Sequence, residues 1–144
     1  MDNIEYLKHF IHVAHRGYED AISDLTPAQF AHRPSDTTNH IAFTAWHWVR
    51  TEDNIVQFVL QRLSTVWIDE GLDVAWGLPP VEQGTGMAPI EAYNMPVPTT
   101  TAFLDYARTH WVRTDAYLAR RSQDHLARSP QGRPSARIPA SPGP

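Results

Sequence analysis

Residues 39–67, NHIAFTAWHWVRTEDNIVQFVLQRLSTVW, decide the fold of this chain of 144 residues. Apolar side chains recur through this stretch at intervals of three or four residues, which is the spacing of one buried helix face. Further aromatic residues fall elsewhere around the same helix, so that it is apolar on nearly all sides. Such a helix lies in the middle of a bundle rather than on its surface. We therefore predict a long central helix here.

Two further helices flank the central one along the chain. Residues 3–25 carry the same three-four spacing. The Thr-Pro pair at residues 26–27 then predicts the start of a short turn over residues 27–31. Residues 100–121 carry a third apolar stripe, and residues 123–128 either extend that helix or form a separate turn. Residues 69–98 are rich in glycine and proline, which predicts a long structured loop with a short turn at residues 90–93.

The long loop has two interpretations, because loops of this length are often functional but can also be simple crossover connections.

After the third helix, residues 129–144 are rich in Pro, Ser and Arg and have one large aliphatic residue, Ile138. Such a segment cannot bury enough apolar surface to offset its ordering entropy, so we predict that it is disordered. The fold class is therefore all-α, an up-down bundle of three long helices in residues 1–128 followed by a tail.

Composition excludes several classes of function. The chain has no cysteine, so it has no disulfide framework, no thiol nucleophile and no thiolate metal site. Any metal would be held by His, Asp or Glu. The net charge of -4 gives no electrostatic case for nucleic acid. No run reaches the roughly 18 apolar residues of a membrane span, and no secretory signal is visible, so we expect a cytoplasmic protein that binds no membrane.

Eight histidines raise the question of a metal site, which needs about three converging ligands. His9, His12 and His15 are spaced by three on the first helix, and we interpret them as surface residues. On the third helix, His110 flanks the apolar stripe and could approach the central helix.

Glu52 lies within the apolar stripe of the central helix, where a carboxylate must be paired or hydrogen-bonded. Arg16, Arg108 and Arg113 are candidate partners, and a role beside a catalytic or metal site is the alternative. Core packing explains most of the tryptophans. Trp48 on the central helix and Trp76 in the loop are the two that could instead line a pocket.

Three stretches resemble the DinB-like superfamily. They are LTPAQFAHRPSDTTNHIAFTAWHWVRTEDNIVQFVL at residues 25–60, WGLPPVEQGTGMAPIEA at residues 76–92 and FLDYARTHWVRTDAYLARRSQDHL at residues 103–126. In that family the second helix carries a His followed five residues later by an acid, and His47 and Glu52 occupy those positions here. The order and spacing of the three stretches carry the resemblance over most of residues 1–128.

The resemblance implies a four-helix bundle that is usually dimeric. Many members of the family bind a divalent metal through three His, one on the second helix and two on the fourth. His47 would therefore be a metal ligand, for an ion of the Zn, Ni or Fe type. Characterised relatives include thiol-dependent S-transferases and a thiol-dependent isomerase. The implied function is a metal-dependent enzyme of the thiol S-transferase type, whose small-molecule thiol is supplied from outside because the chain has no Cys.

The chain departs from the family pattern after Leu126. Instead of a fourth helix with a His pair it enters the Pro/Ser/Arg tail, and no histidine follows His125. One hypothesis is that the chain is a truncated or frame-shifted member. A missing fourth helix would uncover an apolar face, which predicts a homodimer or a chain of low stability. The alternative function is a non-catalytic bundle that binds a small apolar ligand or a partner protein.

Overall fold

The computed structural model describes residues 3–96 and 98–128, with side chains described as far as residue 124. These residues are mostly helical and contain no strand, which confirms the all-α fold class. The predicted disorder of residues 129–144 and the absence of a fourth helix there lie outside the described residues. The helices are α1 (Asn3–Ile22), α2 (Pro27–Phe30), α3 (Ile41–Asp53), α4 (Val66–Asp69), α5 (Leu72–Trp76), α6 (Pro89–Asn94) and α7 (Thr100–Arg128), and a π-helical segment (Asn54–Val59) continues α3.

The three long helices α1, α3 and α7 enclose a core that is rich in aromatic side chains. Trp46 on α3 and Trp67 on α4 are fully buried, and their ring centroids lie 6.0 Å apart. Phe103 on α7 is also fully buried, against Phe30 of α2 at 5.8 Å. Burying a large apolar side chain contributes roughly 1.5–3 kcal/mol, so these rings hold the short helices onto the bundle.

A histidine determines where the central helix begins. Nδ1 of His40 accepts a hydrogen bond from the backbone N–H of Phe43 at 2.8 Å, which satisfies one of the amides left free at a helix start. His40 is itself buried. The helix therefore starts at Ile41, two residues after the start of the predicted stretch.

The prediction of one continuous helix over residues 39–67 is wrong at its C-terminal end. The backbone of Arg62 is left-handed, with φ of 60°, and the N–H of Leu63 donates to the carbonyl of Gln57 at 3.0 Å. The N–H of Arg62 also donates to the carbonyl of Phe58 at 2.9 Å, and this bond with a left-handed residue is a common way for a helix to end. Three-four periodicity continues past Arg62, and the sequence pattern alone therefore gave no sign of the break.

Asp53 draws the chain back against α3 after the break. Its two carboxylate oxygens accept from the backbone N–H groups of Val66 at 3.1 Å and Trp67 at 3.0 Å. The side chain of Thr65 caps the short helix that starts there. A buried carboxylate thus organises the N-terminus of α4, where the helix dipole favours negative charge.

The long loop between the central and third helices contains two short helices. The predicted turn at residues 90–93 is part of α6, and α5 is bounded by Gly71 and Gly77, both with positive φ. The helix predicted at residues 100–121 is α7, which begins at Thr100 and continues to Arg128. Residues 123–128 therefore extend it. In the part of the chain that the structure describes, no helix combines the length and the apolar character needed to cross a bilayer.

Candidate functional site

The carboxylate of Glu52, at the end of α3, connects the three long helices. Both of its oxygens lie 3.0 Å from Nε2 of His15 on α1. Its Oε1 is also 3.1 Å from Nε2 of His110 and accepts a hydrogen bond of 3.1 Å from the hydroxyl of Thr114, both on α7. One side chain thus receives contacts from both neighbouring helices.

Asp53, the next residue, is fully buried and faces the other side of His110. Oδ2 accepts from the hydroxyl of Tyr106 at 2.9 Å, in addition to the amide of Trp67. Oδ1 lies 3.4 Å from Nδ1 of His110, an ion-pair distance rather than a hydrogen bond. We refer to His15, Glu52, Asp53, His110 and Thr114 as the carboxylate–imidazole cluster.

His110 is fully buried between the two carboxylates, and each of its ring nitrogens faces one of them. A neutral imidazole carries one N–H, so it would present a lone pair to one of these anions, whereas the protonated ring presents N–H groups to both. Burial lowers the pKa of His110, but the bonds to Asp53 and Glu52 and their charges outweigh burial and raise it above the ordinary value.

Glu52 is ionised at neutral pH. Burial raises the pKa of its carboxyl group, but the hydrogen bonds and charges of His110 and His15 outweigh burial and lower the pKa to about 2. An ionised carboxylate can only accept hydrogen bonds. Oε1 receives three partners, whereas Oε2 shares the single N–H of His15 and retains acceptor capacity.

The prediction that an arginine pairs with Glu52 is wrong. The partners observed in the structure are imidazoles rather than guanidinium groups. Arg108 instead pairs with Glu19, with a closest N–O distance of 2.5 Å, and Arg113 pairs with Asp69 at 2.7 Å. These arginines lie near the surface, where water can accept most of the hydrogen bonds that their guanidinium groups donate. The imidazoles reach Glu52 from inside the bundle.

The expectation that His15 is a surface residue is also wrong. Its exposed fraction is 6%, and its ring stacks on Trp111 with centroids 4.5 Å apart. The signal was present in the sequence, because His15 falls four residues after Ile11 and three before Tyr18, on the buried stripe of α1. His9 and His12 are exposed, as expected.

An apolar cleft of about 420 Å³ opens between α1, α3 and α7 and ends at the cluster. Glu52 and Thr114 supply the polar groups at its inner end. The half-buried Trp48 forms part of one wall of the cleft. The other lining residues are mostly apolar: Leu7, Phe10, Ile11, Ala14, Thr51, Ile55, Val56, Leu60, Tyr117 and Leu118.

His47, the predicted metal ligand, lies on another face of α3, away from the cluster. Its Nδ1 contacts the backbone carbonyl of Gln83, and its ring stacks on Phe43 with centroids 6.0 Å apart. Because a carbonyl only accepts, Nδ1 carries the proton and Nε2 presents its lone pair, the arrangement typical of a metal-binding His. The described residues nevertheless include no group of three His, Cys, Asp or Glu placed to hold an ion. They do not by themselves fit the family's three-ligand site.

The structure places the predicted site residues in different parts of the fold. His110 and Glu52 are brought together, whereas His47 stands apart from both. Trp76 packs against Trp67 at 5.3 Å and Tyr106 at 6.0 Å, which are contacts of a core side chain.

Comparison with known protein families matches residues 11–141 with the DinB superfamily. No curated protein matches the sequence. The family match spans most of the chain and includes the central helix with His47 and Glu52. The chain therefore belongs to the DinB superfamily.

Proposed function

We propose that this chain binds a small molecule with an apolar body and one hydrogen-bond-donating or cationic group. The observation that carries the proposal is the apolar cleft, whose inner end is the ionised carboxylate of Glu52. Oε2 of Glu52 is the acceptor with capacity left for a ligand. The volume of the cleft falls within the roughly 300–1,000 Å³ of small-molecule pockets.

The charge of the cluster sets the expected selectivity. Burial of an apolar body favours binding by about 25 cal/mol for each Å² removed from water. An amine or hydroxyl group would donate to Oε2 of Glu52, whereas a carboxylate at the same place would face the ionised Glu52. We therefore expect an alkylamine to bind and an alkyl carboxylate of the same length to be rejected.

A titration with n-octylamine, with octanoate as the anionic match, tests this proposal. Trp48 lines the cleft, so tryptophan fluorescence is a suitable signal. Ala14→Leu fills the cleft without touching the cluster, and Ala21→Leu on the exposed side of α1 is the matched control. We expect octylamine to bind the protein and Ala21→Leu, and to bind Ala14→Leu at least tenfold more weakly. Equal binding of octanoate, or binding unaffected by Ala14→Leu, would overturn the proposal.

We further propose, as a second candidate function, metal-dependent transfer of a group to the sulfur of a small thiol. The DinB superfamily is commonly metal-associated. The observation that favours this candidate is the bond between His47 and the carbonyl of Gln83. That bond leaves the lone pair on Nε2 of His47 available to a metal ion. Residues 129–144 contain no His, Asp or Glu, so the other ligands would come from a second copy of the chain.

Elemental analysis of the purified protein tests the second candidate. We expect a zinc-, nickel- or iron-type ion at near-stoichiometric amounts, lost in His47→Ala. His32 is exposed, and His32→Ala is the matched control that should keep the ion. A protein that neither carries an ion nor takes one up on titration, or an ion retained by His47→Ala, would rule this candidate out.

A further inference from the structure

A second pocket lies on the side of α3 that faces away from the apolar cleft. It has a volume of about 380 Å³ and contains two guanidinium groups, those of Arg50 and Arg62. Arg50 lies about 160° around the helix from Glu52. We call it the arginine pocket, and its lining residues are Arg50, Asn54, Phe58, Arg62, Leu63, Ser64, Thr65, Ile68, Pro80 and Val81.

Arg50 is buried in the wall of this pocket with hydrogen-bonding capacity to spare. Its exposed fraction is 2%, its Nε donates to the backbone carbonyl of Glu82 at 3.1 Å, and its guanidinium stacks over Trp67 at 5.1 Å. Nη1 has no hydrogen-bond partner and lies 3.8 Å from Oδ2 of Asp53. A buried donor without a partner is unfavourable, and an acceptor that reached it would remove that cost.

Nη1 of Arg50 lies too far from Asp53 for a hydrogen bond, and both oxygens of Asp53 accept hydrogen bonds from other groups. Oδ2 accepts from Tyr106 and from the amide of Trp67, and Oδ1 accepts from the amide of Val66. The negative charge of Asp53 is also shared with His110, at 3.4 Å. Asp53 therefore offsets only part of the positive charge of Arg50, whose side chain lines the pocket.

Arg62 adds a second positive charge at the exposed side of the pocket. Its guanidinium lies over the ring of Phe58 at 5.7 Å, and within the described residues no carboxylate comes within ion-pair distance of it. Its left-handed backbone is strained for a non-glycine residue, and glycine would avoid that strain. The lining contains no acidic residue.

We propose that the arginine pocket binds a small organic carboxylate with a compact apolar body. Guanidinium groups match the planar geometry of a carboxylate and bind it through paired hydrogen bonds. The apolar lining, such as Leu63, Ile68 and Val81, would cover the body of the ligand. The inference is independent of the proposed function, because this pocket selects the opposite charge and lies on the other side of α3.

Titration with benzoate, followed by the amide resonances of the labelled protein, tests the proposal. Benzylamine is the match of opposite charge, and inorganic phosphate is the anion without an apolar body. We expect benzoate to shift the resonances of residues 62–68 and of Val81 with a Kd in the millimolar range or tighter, and neither of the other probes to do so. Absence of benzoate binding, or equal binding of phosphate or benzylamine, would overturn the proposal.

Arg62→Gly is the variant of choice, because glycine keeps the left-handed backbone and removes the guanidinium. We expect it to weaken benzoate binding at least tenfold while the protein unfolds at the same or a higher urea concentration. Arg121→Gln makes the same change of net charge at an exposed position of α7, and it should leave benzoate binding unchanged. An equal loss in both variants would show nonspecific charge attraction and overturn the proposal.

Discussion

At the scale of single residues, the main feature is a pair of neighbouring carboxylates, Glu52 and Asp53, inside the bundle. Side by side they would repel each other, and burial alone would favour their protonated forms. His110 lies between them with one ring nitrogen toward each, while His15 and Thr114 also contact Glu52 and Tyr106 contacts Asp53. The cluster is therefore stable only as a whole, and removing one member leaves charge uncompensated.

We expect stability to fall on both sides of a maximum between about pH 4.5 and pH 6.5. Glu52 has a pKa lowered from 4.5 to about 2, so its contribution is complete above pH 4.5 and is lost as the pH falls toward 2. His110 has a pKa raised above 6.5, so its contribution is complete below pH 6.5 and is lost as the pH rises through its folded pKa. Urea unfolding at a series of pH values measures both limbs. Glu52→Gln should flatten the acid limb, to which Asp53 still contributes, and should also weaken the alkaline limb, because Glu52 helps to raise the pKa of His110. An unchanged acid limb would contradict the assignment.

His110→Gln should lower the free energy of unfolding by about 3–5 kcal/mol, because it leaves a buried carboxylate pair without its cation. The double variant Glu52→Gln/His110→Gln should cost less than the sum of the two single variants, since it also removes one of the charges. Urea unfolding of the four proteins gives the coupling energy. Strictly additive costs would show that His110 and Glu52 act independently.

At the scale of elements, the segment Pro80–Gly84 is held against α3 by its own backbone. The carbonyl of Glu82 accepts from Arg50 and that of Gln83 from His47. The carboxylate of Glu82 in turn accepts from the amides of Gln83 and Gly84 at 2.9 and 2.6 Å. This segment therefore positions both the candidate metal ligand and one wall of the arginine pocket.

Gly84→Ala should destabilise the protein more than Gly86→Ala. Both glycines have positive φ, 90° and 76°, so alanine is strained at either position. A Cβ at Gly84 would also lie 2.9 Å from Cζ of Phe43 and 3.2 Å from Nδ1 of His47, whereas a Cβ at Gly86 meets nothing within 4 Å. We expect losses of about 3 kcal/mol and about 1 kcal/mol respectively, measured by urea unfolding. Equal losses would mean that the segment yields to the added methyl group.

The whole molecule exposes a row of large apolar side chains around the apolar cleft. The exposed fractions are 61% for Phe10 and 42% for Leu7, both on α1, and 54% for Leu60 beyond α3. An exposed face of this kind favours association. The homodimer implied by family resemblance therefore remains our prediction, with this face as its interface.

Sedimentation velocity over a range of concentrations tests the homodimer. We expect a dimer at micromolar concentrations, and Phe10→Glu should shift it to the monomer by placing a charge in the interface. Val74 is more exposed still, at 81%, but lies on α5, so Val74→Glu is the control that should remain dimeric. The melting temperature should also rise with protein concentration. A monomer at every concentration would contradict the prediction.

The sequence by itself determined the fold class, the approximate positions of the three long helices and the family. The three-four spacing of Ile11, Tyr18 and Ile22 already marks a buried face of α1, and local signals such as Thr26-Pro27 mark a helix start. Glu52 was recognised as a carboxylate needing a partner, because its place on the apolar stripe is a property of its own helix. Such properties follow from residues close together along the chain, which is why they can be predicted from order alone.

Only the tertiary structure decided which partners meet. Periodicity gives the angle of His15 or His110 around its own helix, but not the height at which that helix packs beside α3. Contact between Glu52 and the two imidazoles depends on that height, and the break at Arg62 depends on Asp53 binding the amides of the returning chain. These are contacts between residues distant in sequence, and their geometry exists only once the helices have packed together.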